Sequence, residues 1–284
     1  MRHARPVPDA AAPPTDPPTT TVSAFLDLSA DQATPASLLL AVARRDGVDV
    51  VAESLEVAGP DGAVDLYELD VGDGTRMHQM HLPQGRTTVT YRATVRSARA
   101  EAPQLTDAER WEFTRPSRYA PSDRLSSFAA SEFGGVAPAE LPSAVASWVH
   151  AHIAYVSGSS SPTDTAVETV LARQGVCRDF AHLTTTFLRA MDVPARLCAV
   201  YAPGLAPMDF HAVVEAAPQG RWEVVDATRL APRQGLVRIA TGRDAADTAF
   251  LTTAGPVTLT SMDVLAVVDG DLPADDLAAG VPLP

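Results

Sequence analysis

The fold is decided by residues 175–201, GVCRDFAHLTTTFLRAMDVPARLCAVY. Phe180, Thr184, Phe187, Leu188 and Met191 recur at helical spacing and form one stripe. Pro194 ends that helix, and the β-branched and apolar run after it reads as a strand. Cys177 opens the helix three residues before Phe180, so its thiol is expected on the stripe, facing whatever the helix packs on. A helix N-terminus leaves backbone N–H groups unpaired and carries a positive partial charge. A thiol placed there is favoured as the thiolate. The ordinary alternative is a structural cysteine in a core. Cys198, mid-strand in an apolar run with no helix end nearby, has that pattern.

Downstream, residues 211–216 and 221–226 are two strand-like runs around Ala217-Pro218-Gln219-Gly220, a hairpin signal. A symmetric hairpin centred between Pro218 and Gln219 sets Ala217 opposite Gly220 and His211 opposite Asp226. Directly opposed residues of an antiparallel pair point to the same side. The spacing therefore predicts an imidazole beside a carboxylate, unless a bulge shifts the register. A cysteine nucleophile needs such a pair: Asp226 accepts from one ring nitrogen and fixes the tautomer, and the other nitrogen takes or shares the thiol proton. Packing of the Cys177 helix against the His211 strand is the step that spacing does not reach.

These three segments, GVCRDFAHLTTTFLRAMDVPARLCAVY, the histidine of DFHAVVEA, and RWEVVDATR, closely resemble the core of the transglutaminase-like superfamily. The pattern runs Gly-x-Cys at a helix start, Pro-Ala-Arg at a strand entry, a histidine opening a strand and an aspartate closing the next. The resemblance covers residues 165–230. It implies an α+β fold of the cysteine-protease type, with Cys177 as nucleophile, His211 as base and Asp226 as orienting acid. Two positions depart from the common pattern: Val213 stands where Trp is frequent, and Asp226-Ala227-Thr228 stands where Asp-Pro-Thr is frequent. Neither touches the three residues. In bacterial relatives an N-terminal β domain commonly precedes this core.

Working outward, residues 21–113 are expected to form that N-terminal β domain, an all-β sandwich or barrel. Val89, Tyr91, Ala93 and Val95 alternate with Thr88, Thr90, Arg92 and Thr94, and Gly59-Pro60-Asp61-Gly62 and Gly72-Asp73-Gly74 mark turns. His78 and His81, three apart in a strand, fall on opposite faces and make a poor metal pair. Residues 114–142 read as a linker and 143–269 as the core, including a helix capped by Thr165 and Glu168. Residues 1–20 and 270–284 read as a Pro-rich arm and a flexible tail.

Around the three residues, Arg178 and Asp179 lie in the helix's first turn, where an acidic side chain suits the dipole and a structural role is expected. A zinc site from Cys177, His182 and His211 lacks paired ligand spacing. The backbone N–H of Cys177 is a candidate oxyanion donor. A side chain between Tyr155 and Thr163 is expected to supply a second, with the residue left open.

The chain has 284 residues and a formal net charge of −13, which argues against nucleic acid as a partner, because phosphate binding needs clustered Lys and Arg. Two cysteines make no disulfide framework, no apolar run spans a bilayer, and the N-terminus lacks a signal-peptide core. A cytoplasmic protein is expected. The expected reaction is thiolate attack on a protein or peptide amide through a thioester, with hydrolysis ahead of amine transfer and no metal or organic cofactor. One alternative is a catalytically silent peptide- or protein-binding module on the same fold. Another is a hydrolase of small amides such as peptidoglycan-type peptides. Oligomeric state is not legible.

Overall fold

A computed structural model describes residues 18–97 and 101–284; residues 1–17 of the expected arm lie outside them. Strands β1 (Thr19–Ala30), β2 (Thr34–Leu38), β3 (Val48–Gly59), β4 (Gly62–Ala63), β5 (Tyr67–Asp70), β6 (Arg76–Leu82) and β7 (Gly85–Ser97) come first. Helices α1 (Asp107–Glu112), α2 (Ser126–Phe133) and α3 (Leu141–His152) follow, then strand β8 (Ala154–Tyr155), helix α4 (Ala166–Ala172), strand β9 (Gln174–Gly175) and helix α5 (Cys177–Ala190). The rest is β10 (Ala195–Tyr201), β11 (Phe210–Ala216), β12 (Glu223–Val225), β13 (Val237–Gly242), α6 (Ala245–Thr248), β14 (Leu251–Thr253) and β15 (Val257–Val268).

The N-terminal half is a sandwich of two antiparallel sheets, ordered β15-β1-β7-β3-β4 and β14-β2-β6-β5. Period-two burial builds it: Val22, Ala24, Leu26, Leu28 and Ala30 of β1, and Val89, Tyr91, Ala93 and Val95 of β7, point inward. The sandwich draws one edge strand of each sheet from the far end of the chain, since β14 pairs with β2 and β15 with β1. The expected core of 143–269 therefore gives its last strands to the other domain, because an apolar strand pattern does not say which sheet it joins. The expected linker contains α2, whose Phe128 and Phe133 pack on Phe187 of α5. The tail after residue 270 has no regular elements, yet it buries Val281 and Leu283 against Cys198, Val200, Val213 and Val224.

The core layers α5 and its neighbours on a four-stranded sheet ordered β12-β11-β10-β13. Phe180, Leu183, Phe187 and Leu188 of α5 join Leu197 of β10 and Ala216 and Val214 of β11 in one cluster. The two halves are bolted together by main-chain and buried ionic contacts. Ala43 N donates to Arg238 O at 2.9 Å, and Tyr201 Oη donates to Leu40 O at 2.8 Å. Asp73, in a β5–β6 turn of the sandwich, lies 3.3 Å from Arg196 of the core. Arg196 and Arg238 both pair with the wholly buried Glu215, at 2.8 and 2.7 Å. Burial alone would raise the Glu215 carboxyl; the two guanidiniums outweigh it and hold it far below the usual range. Among the described residues no helix is long and apolar enough to cross a membrane.

Candidate active site

Cys177 is the first residue of α5 and half-buried. The turn before it is shaped by Asp179, buried in the first helical turn, whose Oδ2 accepts from Val176 N at 2.8 Å. Its Oδ1 accepts from Ser160 Oγ, also at 2.8 Å. Arg178 donates to Ser160 Oγ and Ser161 O, at 2.6 and 2.5 Å, tying the 157–164 loop to the helix start. A Cβ at position 175 would lie 2.6 Å from Asp179 Cβ. Glycine two residues before the cysteine is thus a requirement of close approach, and Asp179 has the structural role expected of it.

His211 is the second residue of β11, and Asp226 follows the end of β12. His211 Nε2 lies 3.0 Å from Asp226 Oδ2, and both side chains are buried. They are not directly opposed as the symmetric hairpin required. The register pairs Ala216 with Glu223 and Val214 with Val225, two residues out of the expected frame, so the contact is a diagonal one. An even slip leaves every side chain on its expected face, and the pair survives. The slip has a non-local cause. Arg221 bridges Gln104, and Trp222 N donates to Pro103 O at 2.9 Å, so the first residues of the returning run pair with another segment.

Thr228 completes this side of the site. Its backbone N–H and its hydroxyl both donate to Asp226 Oδ1, at 2.8 and 2.7 Å, leaving Oδ2 for the imidazole. Burial would lower the His211 pKa; the Asp226 charge and hydrogen bond, with the Cys177 thiol adjacent, outweigh it and push it up to about 10. Burial would likewise raise Asp226, and the imidazole and Thr228 hold it below the usual carboxylate range. His211 Nδ1 is buried and has no hydrogen-bond partner; with Nε2 taken by Asp226, Nδ1 is the nitrogen left for the thiol of Cys177, which neighbours the imidazole and whose Sγ is 4.0 Å from the carbonyl of Phe210. The three predicted residues therefore meet. They do so at the end of α5 and not under its apolar stripe, which covers the alternate β11 positions Ala212, Val214 and Ala216.

The other readings separate from this site. His182 is buried, stacked on Tyr119 at 5.2 Å, with Nε2 accepting from Ala245 N at 3.1 Å; burial pushes it down to about 3. Its ring is engaged away from Cys177 and His211, so the zinc set is not assembled. Cys198 donates to Glu215 Oε2 at 3.3 Å, and burial beside that carboxylate pushes its thiol up to about 12. His78 is buried in the sandwich against Glu68 at 3.1 Å, while His81 is exposed. Thr228 was not singled out by sequence, and Tyr155 only as the first residue of the 155–163 stretch. Thr two residues after Asp is a weak side-chain-to-backbone capping signal. Tyr155 is placed by the two-residue parallel pairing of β8 with β9, opposite Gly175.

A helix-borne thiol facing a sheet-borne imidazole–carboxylate pair defines a cysteine-protease-type core. The family model of the transglutaminase-like superfamily matches residues 129–227. A candidate cysteine protease of Cytophaga hutchinsonii has a solved structure that superposes with a TM-score of 0.84 at 31% identity, over 93% of this chain and 96% of that one. An uncharacterized protein of Mycobacterium leprae is 27% identical over 125 residues, which are 40% of this chain and 44% of that protein. The chain thus spans less than half the length of that relative. The periplasmic domain of TgpA from Pseudomonas aeruginosa matches with a TM-score of 0.38 at 18% identity, over 77% of this chain and 92% of that domain, too distant to carry an argument. The chain belongs to the transglutaminase-like superfamily.

Proposed function

We propose that the chain hydrolyses amide bonds of proteins or peptides by covalent catalysis, with Cys177 as nucleophile, His211 as base and acid, and Asp226 as the group that orients and charges the imidazole. The observation that carries this reading is the unpartnered, buried Nδ1 of His211, left for the neighbouring Cys177 thiol because Nε2 is held by Asp226. An imidazole held in this way stays protonated and stabilises a thiolate beside it, and the N-terminus of α5 adds to that field.

The thiolate attacks the carbonyl carbon. The Sγ–C bond forms and the carbonyl π pair moves to oxygen. Collapse breaks the C–N bond, and the departing nitrogen takes the proton from His211 Nδ1. The thioester is then attacked by water, whose proton passes to Nδ1 as the C–S bond breaks, releasing the acid and restoring the ion pair. An amine in place of water would give transfer instead. Cys177, at a helix end, is only half-buried, as a nucleophile that meets its substrate from outside must be.

The test is a panel of peptide p-nitroanilides and glutaminyl peptides, followed by p-nitroaniline or ammonia release. Release that is lost in Cys177→Ala and His211→Ala supports the reading. A folded wild-type protein that releases nothing, yet binds peptides equally well with and without Cys177, would make it a binding module.

A further inference from the structure

We propose that Asp209 selects the substrate by charge: its carboxylate, exposed on the strand edge that the Cys177 thiol also faces, receives a lysyl or arginyl side chain next to the scissile amide, so that the chain acts on basic peptides. This deepens the hydrolase reading above and rests on it. One residue of backbone fixes the placement. Phe210 opens β11, and in an extended residue the N–H and the C=O point to the same edge of the strand. The Phe210 N–H donates to Asp209 Oδ1 at 2.7 Å, and its carbonyl oxygen lies 4.0 Å from Cys177 Sγ. Carboxylate and thiol therefore share that edge. The nitrogen and oxygen of one extended residue are roughly 3 Å apart, so Oδ1 is at most about 10 Å from the sulfur.

The carboxylate is also unpaired. Asp209 is exposed, it accepts from that one N–H, and among the described residues it has no cationic partner. Arg178, next to the thiol in sequence, is engaged with Ser160, Ser161 and Asp179, and the His211 ring with Asp226. The other two carboxylates of the site, Asp179 and Asp226, are buried among their own donors. Asp209 is thus the carboxylate that an approaching chain meets. Met208 beside it is 39% exposed and offers apolar surface to an aliphatic stem. An apolar stem on such a surface with a charged head on a carboxylate is how lysine and arginine settle. A cation within about 5 Å of one surface carboxylate is favoured by about tenfold over a neutral group, and an anion is disfavoured by as much.

Thiol reagents of opposite charge read this field directly. A methanethiosulfonate gives its alkylthio group to a thiolate: the Sγ–S bond forms, the S–SO₂ bond breaks, the thiol is oxidised to a disulfide and methanesulfinate leaves with the electron pair. Rates at Cys177 are followed by mass spectrometry on the full chain with the trimethylammonioethyl, the sulfonatoethyl and the uncharged methyl reagent. Each charged rate is divided by the methyl rate on the same protein, so any change in thiolate fraction cancels. The variant is Asp209→Asn, whose Oδ1 still accepts from Phe210 N. The cationic-to-anionic ratio should fall by about tenfold in the variant, and the wild-type ratio should shrink in about 1 M salt. Glutaminyl peptides carrying lysine or glutamate after the glutamine, followed by ammonia release, should show the same fall in their kcat/KM ratio. An unchanged reagent ratio overturns the proposal. A reagent ratio that falls while both proteins hydrolyse lysyl and glutamyl peptides alike also overturns it, since the charge would then reach the thiol and not the substrate. If wild-type Cys177 reacts with none of the reagents, or no peptide of either kind is hydrolysed, the hydrolase reading itself fails and this inference with it.

Discussion

Replacing Asp226 by Asn should discharge His211. Oδ1 of Asp226 accepts two hydrogen bonds from Thr228, and Oδ2 alone faces the imidazole. An asparagine must keep its oxygen toward Thr228, which turns its NH₂ toward His211 Nε2. That nitrogen then has to accept, so the ring's one remaining proton sits on Nδ1, where it cannot take the thiol proton. The ring pKa now stands at about 10 against an ordinary 6.5, a gap on the order of 5 kcal/mol in favour of the imidazolium. Without the carboxylate only burial remains, and it acts downward. The assay is long-range ¹H–¹⁵N NMR of the labelled imidazole. Wild type should show two protonated ring nitrogens at pH 7; Asp226→Asn should show one, and it should stay neutral down to about pH 5. A charged ring at pH 7 in the asparagine variant would refute the argument that Asp226 sets the charge.

Other expectations follow from the same geometry. Thr228→Val should free Asp226 Oδ1, lower stability by about 1–3 kcal/mol in urea unfolding and slow turnover, while Thr228→Ser restores most of both; a valine variant that matches wild type contradicts the anchoring role. Gly175→Ala meets Asp179 Cβ at 2.6 Å and should cost about 1–3 kcal/mol, read as a lower Tm; an unchanged Tm contradicts the close-approach reading. Glu215→Gln leaves two buried guanidiniums without their carboxylate and should cost about 3–5 kcal/mol, and a loss below about 1 kcal/mol would show that Arg196 and Arg238 find other partners. The His211–Asp226 pair makes stability pH-dependent in a defined direction. The raised histidine contributes fully below 6.5 and is lost as pH rises through about 10, and the lowered aspartate contributes above 3.8 and is lost as pH falls. Stability relative to a His211→Leu/Asp226→Leu variant should therefore peak between those ordinary values, and a flat difference would contradict it.

What was legible in the sequence was local. Cys177 at a helix start follows from the Phe180–Met191 stripe and Pro194, and the inward face of β7 from its alternation. The His211–Asp226 contact was anticipated through a register two residues wrong, and it held because the slip was even. The slip itself was not readable, since it depends on Gln104 pairing with Arg221 more than a hundred positions away. Long-range choices escaped for the same reason: β14 and β15 join the sandwich, and Val281 and Leu283 seal the underside of the core sheet. Tyr155 carries no pattern of its own. Its placement comes from a two-residue parallel pairing with β9, too short to leave a period in the sequence.

The central claim is that Cys177 and His211 act as one unit, and alkylation against pH tests it most directly. Iodoacetamide incorporation at Cys177 and Cys198 is followed separately by mass spectrometry in wild type and His211→Ala. The account predicts that Cys177 is alkylated rapidly, that Cys198 stays inert, and that loss of the histidine slows alkylation of Cys177. A Cys177 profile that is the same with and without His211, or that matches Cys198, would contradict it.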